Sequence, residues 1–148
     1  MLTKTLIKVF TRDLNKLKIE IASYKNEANL WLLEKEITNS AGNLCLHIVG
    51  NLNHFIGAIL GNSGYIRQRN LEFSTKNVLR AELLQQIDDT ILLVENVLVK
   101  LLAEDLEKQY PVVVFKEPMT TEYFLVHLTT HLSYHLGQIN YHRRLLDS

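Results

Sequence analysis

Three histidines, His127, His131 and His135, recur at four-residue spacing in a stretch that carries no formal charge between Tyr123 and His142. On an α-helix, residues four apart are offset by about 40° around the axis and about 6 Å along it. The three imidazoles therefore form one slowly drifting ridge, which Gln138 continues. Adjacent members of such a ridge can aim two ring nitrogens at one metal ion, as His-x3-His pairs do in zinc helices. A third donor has to come from another part of the chain. His47, in a second uncharged stretch, is placed to supply it.

The pair can be read two ways. His131 with His135 is the preferred reading, and His127 with His131 is the alternative one turn back. His54 lies on the same stripe as His47 but about 10 Å away along a helix, too far to share one mononuclear site. It is read as a pocket or rim residue, and His127 as a neighbour of the ligands. Asn51 and Gln138 lie about one turn beyond His47 and His135, where they could orient an imidazole or a bound molecule. His142, beside Arg143 and Arg144, is expected in solvent. Cys45 turns away from His47 and is expected in the core.

The elements that position these residues follow from periodicity. Residues 3–24 carry Leu6, Phe10, Leu14, Leu17, Ile21 and Tyr24 at three- and four-residue spacing, which predicts an amphipathic helix. Residues 26–38 read as a connection with room for one helical turn. A second helix is expected over residues 39–60, capped by Asn39 or Ser40. No Asp, Glu, Lys or Arg lies between Glu36 and Arg67, yet Asn43, His47, Asn51, Asn53 and His54 are too many polar groups for a membrane span. A helix buried within a bundle fits them better. Its stripe of Asn43, His47, Gly50, Asn51 and His54 reads as the wall of a small polar cavity facing His131, His135 and Gln138.

Residues 65–74 read as a charged connection. A third helix is expected over residues 79–102, with Leu83, Ile87, Ile91, Val94, Leu98 and Leu101 inward. A long connection bounded by Pro111 and Pro118 contains a strand-like Val112–Phe115 run, and a fourth helix follows over residues 120–146. The fold class is thus all-α: a four-helix bundle, one domain over residues 1–148, with long connections between helices 2 and 3 and between helices 3 and 4.

Composition narrows the function classes. Sixteen basic and sixteen acidic side chains balance, so no field favours nucleic acid or an anionic membrane. A lone cysteine excludes an intramolecular disulfide and fits a reducing cytoplasm. Charges interrupt the N-terminal apolar pattern, so no signal peptide is expected. No glutamate is expected beside either histidine stripe. That disfavours a carboxylate-rich di-iron bundle, and the HExxH pattern of zinc proteases is absent.

The run Asn43-Leu44-Cys45-Leu46-His47-Ile48-Val49-Gly50-Asn51, followed much later by His131-Leu132-Ser133-Tyr134-His135-Leu136-Gly137-Gln138-Ile139, resembles the DinB/YfiT-like superfamily. The stretch Arg67–Phe73 resembles the corresponding segment of a subgroup of unknown function. The resemblance spans essentially the whole chain and implies a four-helix-bundle metalloenzyme. Carried over, its metal triad falls on His47, His131 and His135. The family often has another histidine just before the last ligand, where this chain has Tyr134. Some relatives transfer low-molecular-weight thiols such as bacillithiol, and many have no assigned activity.

Three neutral imidazoles leave a divalent ion its full charge and an open position. Such an ion can lower the pKa of a bound water towards about 7 or deprotonate a bound thiol. Zinc and nickel are the leading ions, with iron and manganese as alternatives, because imidazole donors alone do not select among them. The expectation is a cytoplasmic, metal-dependent stress-response enzyme that transfers a thiol to a small electrophile. Its rivals are a metal-dependent hydrolase and a non-catalytic metal- or ligand-binding protein. A small-molecule substrate is expected, with no nucleic acid and no membrane. A monomer and a homodimer both fit.

Overall fold

A row of apolar side chains along the first helix sets the arrangement. The computed structural model describes residues 1–148. Helix α1 (Leu2–Ala22) buries Leu6, Phe10, Leu14, Leu17 and Ile21 completely or nearly so, as the spacing predicts. Helix α2 (Ala41–Leu52) starts at Ser40, whose Oγ accepts from the Asn43 amide at 3.1 Å. The backbone then continues as a π-helix over Asn53–Leu60 instead of keeping α geometry to its end. Helix α3 (Arg69–Ser74) is short, α4 (Arg80–Leu98) long, α5 (Ala103–Glu107) short, and α6 (Thr121–Leu146) the longest. No strand forms, so the structure is all-helical.

The long helices pack in a ring: α1 against α4 and α6, and α2 against α4 and α6. Apolar burial holds this ring together. Each fully buried Leu, Ile or Phe contributes about 1.5–3 kcal/mol. An exposed ion pair such as Lys18–Asp88, which links α1 to α4 at 2.9 Å, is worth about 0–1 kcal/mol. The core row decides the packing and the ion pair decorates it. In α4 the inward residues are Leu83, Ile87, Thr90, Val94 and Leu98. Ile91 and Leu101, expected inside, are only partly buried.

Helix α2 is the most enclosed element, with eleven of its twelve residues buried, which accounts for its lack of charge. The stretch Ala41–Leu60 has the length and apolarity of a membrane span, but more than half of it is covered by the rest of the fold. Close approach to its neighbours depends on its glycines. A Cβ on Gly42 would lie 2.6 Å from the Trp31 ring, and one on Gly50 would lie 1.9 Å from Glu72 Oε2.

Several connections depart from the sequence expectation. Residues 26–38 contain a 3₁₀ helix, Glu27–Trp31, capped by the Asn26 side chain. The charged connection at residues 65–74 folds its second half into α3, because Asn43 Nδ2 donates to the Glu72 and Thr75 carbonyls at 3.0 and 2.7 Å. Asn43 is thus spent on docking α3 and does not line a cavity. Val112–Phe115 stays irregular, and the one bridge in this region pairs Gln109 with Thr120.

His142 is buried, not solvated. It falls three residues after the buried Ile139 and so on the inner face of α6. Its Nε2 donates to the Leu32 carbonyl at 2.9 Å, and its Nδ1 accepts from the Tyr24 hydroxyl at 2.6 Å. Two segments of the chain therefore depend on this ring. His142→Phe should strand a buried hydroxyl and a carbonyl and cost about 1–3 kcal/mol in urea unfolding, with metal stoichiometry unchanged. Wild-type stability in that variant would remove His142 from the scaffold.

Candidate metal centre

Where α2 crosses α6, three imidazoles meet. His47 comes from the middle of α2, and His131 and His135 come from successive turns of α6. His47 Nε2 lies 3.1 Å from His131 Nε2, and His135 Nε2 lies 3.2 Å from the same atom. One ligand atom from each ring lies within 4.8 Å of the other two. Nitrogens bound tetrahedrally to one ion at about 2.0–2.1 Å stand about 3.3 Å apart, so these spacings suit a shared ion.

The outward nitrogens decide where the protons sit. His47 Nδ1 donates to Glu72 Oε1 at 3.0 Å, and His135 Nδ1 donates to Gln138 Oε1 at 2.7 Å. A neutral imidazole carries one N–H, so both rings turn an Nε2 lone pair towards His131 Nε2. A single N–H on His131 could satisfy only one of them. Lone pairs confronting one another at about 3 Å call for a cation, and a divalent ion serves all three at once.

The surroundings keep His131 and His135 neutral. Burial, reinforced by the neighbouring His135, His47, His127 and Arg67, pushes the His131 pKa down to about 3. Burial also lowers His135, opposed by the hydrogen bond to Gln138. Neutral imidazole is the form that binds metal.

A model of a family described as "Protein of unknown function (DUF1572)" matches residues 3–148. The chain belongs to the DUF1572 family. No curated protein matches it.

The other expected site residues of this DUF1572 chain fall in different places. His127 lies one turn before His131, stacked on Phe124 with ring centroids 5.9 Å apart and edge-on to Phe115 at 4.9 Å. It is not in the group of three. His54 packs edge-on against Phe55, and burial together with Arg67 lowers its pKa. Asn51 is buried with its Oδ1 lacking any hydrogen-bond partner, a rare condition for a buried carbonyl oxygen. Gln138 bonds to His135, not to Asn51. A cleft of about 400 Å³ opens beside His135 and Gln138, walled by Ile37, Leu44 and Tyr141. Cys45 is fully buried, and burial pushes its thiol up to about 12.

Glu72 corrects the sequence expectation that no glutamate lies beside the histidines. It is buried on α3, 25 residues from His47 in sequence, and both its oxygens are engaged. Arg67 holds it in a two-pronged pair, Nε to Oε2 at 2.9 Å and Nη2 to Oε1 at 3.0 Å. Burial alone would raise the Glu72 pKa, but the bonds from His47 and Arg67 outweigh it and hold the carboxyl below its usual range. The signal available in the sequence was one acidic residue within Arg67–Phe73, next to a segment that must fold back onto α2.

The depressed imidazoles make ion-free stability depend on pH. An unfolded histidine protonates near 6.5, so between that pH and about 3 the unfolded chain binds more protons than the native His131 does. His135 and His142 shift in the same direction. The ion-free protein should hold its full stability above about pH 6.5 and lose it steadily as pH falls. Carboxylates add their own loss only below about pH 4.5. Urea midpoints at pH 7.5 and pH 5 isolate the histidines. A lower midpoint at pH 5 is expected, and His131→Asn should shrink the difference.

Proposed function

We propose that this chain is a DinB-like four-helix bundle that holds one divalent ion on His47, His131 and His135 and transfers a small thiol to an electrophilic small molecule. The observation that carries the reading is the convergence of three Nε2 atoms, two of them stripped of a proton by Glu72 and Gln138. When bound, a divalent ion supplies positive charge that lowers the pKa of a thiol or water. The residues around it hold and orient. Gln138 sets the His135 ring, and Asn51, His54 and His127 are assigned supporting roles beyond the three ligands.

One feature favours thiol transfer over hydrolysis. Both Glu72 oxygens are occupied by His47 and Arg67, so the carboxylate beside the site is not free to activate water as a general base. A thiol needs no such base once its proton has gone to solvent. Its sulfur then bonds to the electrophilic carbon, and the leaving group departs with the bonding electron pair. Zinc and nickel suit the donor set, and iron and manganese are the alternatives. A cytoplasmic location fits a thiol co-substrate.

Wild-type protein should take up about one divalent ion per chain, and His131→Ala or His135→Ala should abolish it. His54→Ala and His127→Ala should keep it. Equal metal in wild type and His135→Ala after the same chelation would overturn the triad. Loss in His127→Ala with retention in His135→Ala would move the pair one turn back. Turnover of a generic electrophile should require an added thiol. Thiol-independent hydrolysis would identify a hydrolase instead, and metal binding with no turnover a binding protein.

A further inference from the structure

Helix α3 presents a feature that metal binding alone does not demand. It delivers two consecutive residues, Glu72 and Phe73, to one imidazole. Glu72 Oε1 takes the His47 Nδ1 proton at 3.0 Å, and the Phe73 ring lies 4.7 Å from the His47 ring, centroid to centroid. Glu72 in turn is gripped by Arg67 through two bonds, with only 12% of the Arg67 side chain exposed.

We infer that Glu72 is the positioning residue of His47, seated by Arg67 and by the missing side chain of Gly50. The inference rests on the metal-centre reading and deepens it. Glu72 fixes the His47 tautomer with Nδ1 protonated, aims Nε2 at the His131 and His135 nitrogens, and makes the ring a stronger donor. Carboxylates do this for metal-bound histidines generally.

Docking of α3 does not explain the same contacts. Asn43 already ties α3 to α2 through the Glu72 and Thr75 carbonyls. An enclosed ion pair is also a poor source of stability, because desolvating both charges offsets their attraction. The Arg67–Glu72 pair therefore needs a reason other than holding α3 down, and the one further polar group it bonds is His47 Nδ1. Gly50 points the same way. A Cβ there would lie 1.9 Å from Glu72 Oε2 and 2.5 Å from its Cδ, so any other residue would push the carboxylate off its place. Gly50 lies less than one turn after His47 on α2, so the carboxylate is fitted against the helix that carries the ligand.

The test measures zinc affinity by competition with a chromophoric chelator, together with the His47 ring protons by nitrogen-correlated NMR. Glu72→Gln keeps the size and an acceptor but removes the charge. It should weaken zinc by about ten- to a hundredfold while one ion still binds. Gly50→Ala should weaken it similarly with Glu72 still present. Gly137→Ala on α6, where an added Cβ meets nothing within 4 Å, should leave affinity unchanged. In wild type and Gly137→Ala, a slowly exchanging proton on His47 Nδ1 is expected, and in Glu72→Gln it should shift upfield or vanish. That readout separates positioning from general destabilisation, which circular dichroism monitors. If Glu72→Gln fails to fold, Gly50→Ala carries the test. Unchanged zinc affinity in a folded Glu72→Gln would overturn the inference, as would wild-type His47 protonated on Nε2. Failure of the wild type to bind any ion would instead refute the metal centre, and the His47 tautomer would still decide the role of Glu72.

Discussion

Three imidazole nitrogens that share too few protons are the constraint around which this fold is arranged. With His47 and His135 each donating through Nδ1, their Nε2 lone pairs confront His131 Nε2 at 3.1 and 3.2 Å. At least one of these contacts opposes packing unless a cation lies between the rings. The fold nevertheless brings the rings together from two helices and surrounds them with uncharged side chains. The nearest formal charges, Arg67 and Glu72, cancel each other.

Stability for this arrangement comes from elsewhere. The apolar rows of α1 and α4 and the buried face of α6 form a continuous core that includes Phe10, Leu17, Ile87, Leu98 and Leu132. Polar ties close the far end. Glu20 receives Arg143 at 2.7 Å and Asn140 at 2.7 Å, and Asp147 accepts the Lys25 and Asn26 amides. These bonds join α1 to α6 and anchor the chain after α1 against the end of α6. His142 completes the closure with Tyr24 and Leu32. One end of α6 is thus a structural clasp, while its middle carries the chemistry. His135 and His142, two turns apart on nearly the same face, both border the cleft and differ in what they bond: His135 faces Gln138 and His131, and His142 faces Tyr24 and Leu32.

Much of this was legible in the sequence. Periodicity located α1 and α4, since each buries a stripe that repeats every three or four residues. The absence of charge marked α2 and α6 for enclosure, which holds for α2, whereas α6 leaves Tyr123, Val126, Tyr134 and Tyr141 exposed. The four-residue histidine spacing placed His131 and His135 on one ridge, because helix geometry is local. His142 could also have been read correctly, since it follows Ile139 by three residues, but the adjacent arginines pointed outward and obscured the phase.

What the sequence did not reveal was settled by contacts between distant segments. Six residues of α3 are too few to show a helical period, and their fold depends on Asn43 Nδ2 donating to the carbonyls of Glu72 and of Thr75 just after the helix, 29 and 32 residues away. The convergence of Glu72, Arg67 and Gly50 on His47 depends on how α3 lies across α2, which no local pattern encodes. The partnerless Asn51 Oδ1 and the pairing of Gln138 with His135 were likewise decided by side-chain directions in the packed interior. The sequence by itself determined the helices and the ridge of histidines, because those follow from interactions a few residues apart. The tertiary structure alone decided which nitrogen of each ring faces inward, because that depends on the acceptor waiting behind it.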